Sequence, residues 1–170
     1  MSFFLHIWRE SLEFATVLYV VWLIGFDELT HFPWSQFVYM LSRNRSTCGV
    51  KPYIRATTNP DTDSWVRQFI AWWIDEASGY PIPSRSGKIR WFFIQNDETI
   101  WWSRREELLE KDPHCLPKSV SFVASTVHDN KILLEKDPGY LANLKALPRF
   151  EREQLLMGNW NIRPSAGMFF

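Results

Sequence analysis

Two adjacent carboxylates, Asp27 and Glu28, directly follow the apolar run Val20–Phe26. An uncharged run of this length predicts a strand that is buried on both faces, as in a parallel sheet. Acids placed where such a strand stops lie at its carboxyl end, where open α/β sheets bind ligands. There a first carboxylate can hold Mg²⁺ and a second can polarise an attacking water, as in nucleotide hydrolases. The alternative is a surface strand that merely ends in acids.

A second polar group, Ala56-Thr57-Thr58-Asn59-Pro60, closes the next predicted strand, Lys51–Thr58. The residue before a proline is driven away from helical geometry, so the strand ends there. In a parallel sheet, Thr58 and Asn59 are then expected to present a hydroxyl and an amide to the same crevice as the acids. Such groups can contact a terminal phosphate or position a water. Read alone, the segment is an ordinary strand-to-helix turn.

A third group is basic and consists of Arg43, Arg45, Lys51 and Arg55. Basic loops beside a sheet can contact the phosphates of a nucleic acid backbone, which makes Arg43 and Arg45 candidate contacts. The alternative is a loop whose charges are simply solvated.

Composition excludes several classes of protein. The chain is 46% hydrophobic and 22% charged, which is typical of a globular fold, and its zero net charge gives no general argument for a polyanionic partner. Cys48 and Cys115 lie far apart without zinc-ligand spacing, which fits a reduced cytoplasm. The longest uncharged stretch, Phe14–Phe26, has 13 residues and is too short to span a bilayer. The phosphate-binding pattern G-x-x-x-x-G-K-[ST] is absent from the sequence.

Strands that alternate with helices predict an α/β fold, with a sheet that is parallel at least in its first half. A helix starting at Phe32-Pro33 separates the first two strands, and Asp61–Ser64 offers helix caps ahead of an aromatic helix. From Leu133 onward the chain is predicted to be a small helical appendage. The remaining predicted elements are the helix Trp65–Trp73, the loop Gly79–Gly87, the strands Lys88–Ile94, Thr99–Trp102 and Ser119–Ser125, and the helix Arg104–Lys111.

Taken together, these residues resemble the large subunit of tailed-phage terminase. The resemblance covers Trp22 to Phe170 in order and spacing. Its segments are Gly25–Phe32, Ser42–Arg45, Ala56–Pro60 with Trp65-Val66, Ser86–Arg90, Val127–Asn130, Asp137–Leu141 and Leu155–Trp160.

The resemblance implies a motor ATPase that packages viral DNA into procapsids, with ATP and Mg²⁺ as cofactors. It implies a partial RecA/ASCE-like P-loop NTPase sheet, mostly parallel, with a helical lid or linker. Asp27 would be the Mg²⁺-binding acid of the Walker B motif, and Glu28 the general base that orients water. Thr57, Thr58 and Asn59 would fall in the motif that couples hydrolysis to movement.

The resemblance also implies an organisation and a setting. Residues 1–130 would form the Walker B and coupling half of an ATPase core, and residues 131–170 a lid or linker toward an absent nuclease domain. The implied partners are double-stranded viral DNA, the portal protein, the small terminase subunit and further copies of the chain. The implied location is the cytoplasm of the bacterial host, with no membrane association.

The family's Walker A loop and nuclease acids have no counterpart in this sequence. We therefore expect a fragment or remnant that does not hydrolyse ATP at a useful rate alone, because phosphate binding depends on that loop. One alternative is a non-catalytic remnant that binds terminase, portal or DNA, and another is part of a different oligomeric ASCE ATPase. Without the strands that precede the Walker B strand in the family, the predicted parallel sheet has an open edge. We expect Met1–Phe14 or a second copy of the chain to cover this edge.

Overall fold

A computed structural model describes residues 22–47 and 49–163. The strands are β1 Leu23–Phe26, β2 Tyr53–Ala56, β3 Ile89–Gln95, β4 Glu98–Trp102 and β5 Lys118–Ser121. The α-helices are α1 Trp34–Arg43, α2 Trp65–Phe69, α3 Arg105–Lys111, α4 Lys131–Lys136, α5 Pro138–Ala146 and α6 Arg149–Glu151. Short 3-10 turns cover Leu29–His31, Ala71–Trp73, Pro83–Arg85 and Val127–Asp129, and a π turn covers Arg152–Leu156. Within these ranges no helix is both long and apolar enough to cross a membrane.

The first sheet consists of β1 and β2, which pair in parallel from Leu23↔Tyr53 to Phe26↔Ala56. The predicted parallel pairing is confirmed, although both strands are shorter than predicted. In β1 only Ile24 and Phe26 are buried, whereas Leu23 is 40% exposed. The prediction of burial on both faces is therefore wrong for the described part of this strand. Alternation turns every second side chain away from the core, and the described sheet carries no layer over that face.

Helix α1 connects the two parallel strands. Pro33 occupies its N-cap with extended geometry, one residue before the position predicted for it. Phe37 is buried, and Val38, Met40 and Leu41 pack partly buried against the core. The predicted inward face of this helix is confirmed.

The second sheet is antiparallel throughout, with the strand order β4-β3-β5. Asn96 and Asp97 join β3 to β4 and have φ values of 50° and 64°. Two consecutive residues with positive φ form the turn that matches the twist of a hairpin. The expectation of a mostly parallel sheet is therefore wrong among the described strands, because this two-residue connection cannot join parallel neighbours.

Helix α2 begins as predicted and ends early. The Ser64 hydroxyl accepts a hydrogen bond from the Val66 amide at 3.2 Å and caps its first turn. The α-helix stops at Phe69, and a 3-10 turn continues to Trp73. The predicted helix Trp65–Trp73 is thus interrupted at Ile70, whose φ of −96° and ψ of 9° lie outside helical geometry.

Aromatic rings join the two sheets into one core. The Phe69 ring lies 6.0 Å from Phe37 on the side of the first sheet, and 5.3 Å from Phe92 and 4.9 Å from Trp101 on the second. These separations fall in the range where tilted aromatic pairs attract. Trp73 is only 1% exposed beside them. Truncating such a buried ring costs about 3–5 kcal/mol, so these aromatic contacts contribute strongly to the stability of the fold.

The end of the described chain returns to this core. Trp160 is 2% exposed within the hydrophobic cluster, and its amide donates to the Gly79 carbonyl at 2.8 Å. The Tyr80 hydroxyl donates to the Glu153 carboxylate at 2.8 Å. The predicted helical tail is thus present and is packed onto the rest of the molecule. The predicted boundary near residue 130 stays a prediction, and the expected cover of the sheet edge by Met1–Phe14 lies outside the described residues.

Candidate functional site

The two polar groups meet because their strands are parallel and in register. Phe26 lies opposite Ala56, so the residues that follow each strand emerge side by side at the carboxyl edge of the sheet. The Thr57 amide donates to the Phe26 carbonyl at 2.9 Å, and the Leu29 amide donates to the Thr57 carbonyl at 2.8 Å. These backbone bonds extend the pairing of β1 and β2 by one step and fix the acids against the second polar group.

The side chains then form a connected polar cluster. The Thr57 hydroxyl donates to Asp27 Oδ1 at 2.5 Å and accepts from the Glu28 amide at 3.2 Å. The Asn59 side-chain amide donates to Glu28 Oε1 at 2.7 Å. Each carboxylate therefore has its own partner from the end of β2, and the Thr57 hydroxyl connects the Asp27 carboxylate with the Glu28 backbone amide. One oxygen of each carboxylate carries these bonds, and no residue of the described ranges donates a hydrogen bond to the other oxygen.

The structure places Thr57, rather than Thr58, against the acids. The Thr58 hydroxyl donates to the Asn59 carbonyl at 3.2 Å, and Thr58 lines a groove on the other side of β2. Successive side chains of an extended segment point to opposite faces of the sheet, so Thr57 and Thr58 cannot both lie on the face where the Asp27 carboxylate is met. Asn59 is brought to the acids as expected. The roles of these three residues toward a nucleotide stay predictions.

Glu28 has an unusual backbone. Its φ of 56° and ψ of 60° place it in the left-handed helical region, at the start of the 3-10 turn Leu29–His31. A residue with a Cβ costs about 1–2 kcal/mol there. The His31 amide donates to the Glu28 carbonyl at 2.9 Å and holds the turn from the other side. Such outliers cluster at functional sites, where the surrounding structure maintains them.

Three of the four predicted basic residues lie away from the acids, whereas Arg55 lies within β2 opposite Gly25. Helix α1 starts near the carboxyl end of β1 and the chain then enters β2 at its amino end, so the connecting segment with Arg43, Arg45 and Lys51 lies at the opposite edge of the sheet. Arg43 and Arg45 are exposed, and the Arg43 guanidinium lies 5.0 Å from the ring centroid of Tyr39. Neither arginine forms a salt bridge with a described residue. Their contact with nucleic acid stays a prediction.

A second group of cations, which the sequence analysis did not predict, consists of Arg90 on strand β3 and Arg85 in the turn that precedes it. The guanidinium carbons of Arg85 and Arg90 lie 4.8 and 5.1 Å from the ring centroid of Trp72. Burial of the Arg90 guanidinium lowers the pKa of Arg90 from its ordinary value, and the nearby Arg85 charge adds a smaller shift in the same direction. Two arginines five residues apart around the start of strand β3 were a usable signal, but only the fold shows that they share one ring. Among the described residues no group of three or more acids, cysteines or histidines could by itself hold a metal ion.

Comparison with known families adds one finding. A family model described as terminase large subunit, T4likevirus-type, N-terminal, matches residues 21–170. Comparisons with curated proteins and with solved structures gave no match. The matched range includes the acids, the polar end of β2 and the tail that packs on the core.

Proposed function

Since the chain belongs to the terminase large subunit family of the T4likevirus type, through the family's N-terminal region, we propose that it supplies the Mg²⁺- and water-handling half of an ATP-driven motor. Membership of the family implies a role in packaging phage DNA. The observation that carries the finer proposal is the pair of contacts Thr57–Asp27 and Asn59–Glu28 at the carboxyl edge of a parallel strand pair. Two acids held separately at that edge suit two different tasks.

Asp27 is the residue that would hold Mg²⁺. Its carboxylate is exposed and one of its oxygens is fixed by the Thr57 hydroxyl. Mg²⁺ prefers oxygen ligands and keeps several waters, and in nucleotide sites it is bound by one or two carboxylates together with substrate phosphates. The residues present therefore fit this ion without a larger cluster of acids. When bound, the ion would neutralise charge on the phosphates.

Glu28 is the residue that would orient water. The Asn59 amide occupies its Oε1, so its Oε2 is the oxygen left to accept a hydrogen bond from a water. The left-handed backbone and the Thr57 contact to the Glu28 amide set the direction of this side chain. Asn59 is a positioning residue in this proposal, because it acts on Glu28 rather than on the nucleotide.

Phosphate binding by this chain alone is expected to be weak. In P-loop enzymes the phosphates are held by a glycine-rich loop and its lysine, and that pattern does not occur in this sequence. We therefore propose that the acids act only when another polypeptide segment supplies the phosphate contacts. The RecA-like architecture and the lid role of residues 131–170 belong to this proposal as well.

Nucleotide binding and turnover by the purified chain test the proposal. Titration with Mg-ATP in a calorimeter should give no binding at micromolar concentration, and phosphate release should equal that of the Glu28→Gln variant. Micromolar binding together with turnover that Glu28→Gln abolishes would show that the chain is an independent ATPase.

A DNA contact at the amino edge of the sheet is a second, separable part of the proposal. The observation that favours it is the exposure of Arg43 and Arg45 without acidic partners among the described residues. Phosphate contacts weaken steeply with salt. Duplex DNA binding should therefore fall with salt, and the double variant Arg43→Gln/Arg45→Gln should show a shallower salt slope by about 2. An unchanged slope would remove these residues from the proposed interface.

A further inference from the structure

The loop 60–63 directly follows Asn59, the residue that donates to Glu28. The backbone of β2 is bonded to β1 and to the turn after it only as far as Thr57. Among the described residues, no hydrogen bond joins the loop 60–63 to either sheet. Whatever holds this loop therefore also limits the freedom of Asn59.

Two residues of the loop bond to the end of the tail, which comprises residues 131–163. The Thr62 hydroxyl donates to the Ile162 carbonyl at 2.8 Å in a partly buried position. Asp63 forms a salt bridge of 2.7 Å with Arg163, and both of these side chains are exposed. Exposed ion pairs contribute little to stability, so the Thr62 bond is the firmer of the two contacts.

Gln154 makes the tail contact that lies nearest to Asn59. Its half-buried side-chain amide donates to the carbonyl of Pro60, the residue next to Asn59. A proline ring fixes its own φ and restricts the residue before it to extended geometry. Asn59 and Pro60 thus form a stiff pair, and a bond to the Pro60 carbonyl limits the movement of both.

The backbone around Gln154 is itself anchored to the core. Gln154 lies in the π turn Arg152–Leu156. Turns of this kind are rare and occur often at functional sites. The Tyr80 hydroxyl donates to the carboxylate of the adjacent Glu153 at 2.8 Å. One face of the turn is therefore fixed by the core, and Gln154 extends from the turn to the loop.

We propose that Gln154 is a positioning residue for Glu28. It holds the Pro60 carbonyl and so limits the movement of Asn59. The Asn59 amide in turn fixes Glu28 Oε1. The tail thereby acts on the candidate site, although no hydrogen bond or salt bridge joins a described tail residue to either acid. The role of Gln154 rests on the proposed function of Glu28, whereas the contacts themselves involve no nucleotide.

Hydrogen exchange of the Asn59 side-chain amide, followed by NMR on the isotope-labelled full chain, tests this role. The exchange rate of a bonded amide reports the fraction of molecules in which the bond is open. Gln154→Met removes the donor and keeps an unbranched side chain, so the exchange rate should rise about fivefold. Tyr80→Phe is the matched control, because it removes a tail bond at Glu153 and leaves Gln154 in place. The control should exchange at the rate of the unmodified chain.

Glu28→Ala gives the reference rate of an Asn59 amide without its carboxylate partner, and this rate should exceed that of the unmodified chain. An unchanged rate in Glu28→Ala would mean that the two side chains do not bond in solution, which overturns the role of Gln154 together with the geometry behind the proposed function. If Glu28→Ala accelerates exchange and Gln154→Met does not, only the role of Gln154 is overturned. Equal acceleration by Gln154→Met and Tyr80→Phe would also overturn it, because the tail would then act as a whole.

Discussion

The Thr57 hydroxyl joins the two strands that carry the candidate site, so its removal should cost measurable stability. Thr57→Val keeps the shape of the side chain and removes both the bond to Asp27 Oδ1 and the bond from the Glu28 amide. A bond to a charged group contributes about 1.5–3 kcal/mol and a neutral bond about 1. Both bonds are exposed, where water replaces them in part, so we expect a loss of about 1–2 kcal/mol.

This loss is large enough to measure. For a domain of this size about 1 kcal/mol shifts Tm by about 2–4 °C, so Thr57→Val should lower Tm by about 2–8 °C. Urea unfolding followed by tryptophan fluorescence gives the free energy directly, since buried Trp73 and Trp160 become exposed on unfolding. Thr57→Ser keeps the hydroxyl and should lose less than Thr57→Val.

Thr58→Val is the matched control for position in the strand. The Thr58 hydroxyl bonds only to the neighbouring Asn59 carbonyl, so its removal should have a smaller effect. The reasoning is refuted if Thr58→Val costs as much as Thr57→Val, or if Thr57→Val unfolds at the same urea concentration as the unmodified chain.

Three further predictions concern the packing of the tail and the helix caps. Gly79→Ala should cost more than about 2 kcal/mol in urea unfolding, because Gly79 has a φ of +78° and an added Cβ would overlap the returning chain. Gly87→Ala, with a φ of +74° and open space around it, should cost only about 1 kcal/mol, and equal losses would contradict the packing argument. Tyr80→Phe should cost about 1 kcal/mol by the same measurement, through loss of the bond to Glu153, and a neutral outcome would mean that water replaces this bond. The Asp129 carboxylate accepts one hydrogen bond from the Thr126 amide and a second from the Thr126 hydroxyl. These bonds, the amide bond most, hold the pKa of Asp129 below its ordinary value. Its stabilisation is therefore present above about pH 4 and is lost as the pH falls through the lowered pKa. Asp129→Asn should be less stable at neutral pH, with a difference that shrinks in acid; a constant difference from pH 7 to pH 3 would refute this.

The sequence was sufficient for the first half of the fold because local signals determine it. An apolar run that ends in acids, a proline before a helix and a second strand closed by Asn59-Pro60 each have a local cause. The parallel register then brought the acids to the polar turn as predicted. The expectation that Thr58 meets the acids was wrong, since Thr57 takes that place; the pattern does not tell which of two successive side chains lies on the face of the acids.

The antiparallel arrangement of the second sheet follows from a turn of only two residues, which is a short signal in the sequence. Asn96 and Asp97 adopt positive φ and fold β3 back on β4. Either residue type tolerates this geometry, but Asn-Asp lacks the glycine of the strongest hairpin signals, and the prediction of a mostly parallel sheet was wrong for these strands. The early end of α2 could not be predicted either. Helical periodicity alone predicts a continuous helix, whereas the chain changes to a 3-10 turn that ends at the buried Trp73.

The left-handed backbone of Glu28 has a consequence for variation at this position. Glycine is the residue that tolerates such a conformation best, followed by asparagine. A selection that rewarded stability alone should therefore replace Glu28 with glycine early. A selection that required nucleotide turnover by the assembled motor should retain the glutamate despite its strain. Comparing the two selected pools at this one codon would separate what the fold prefers from what the chemistry requires.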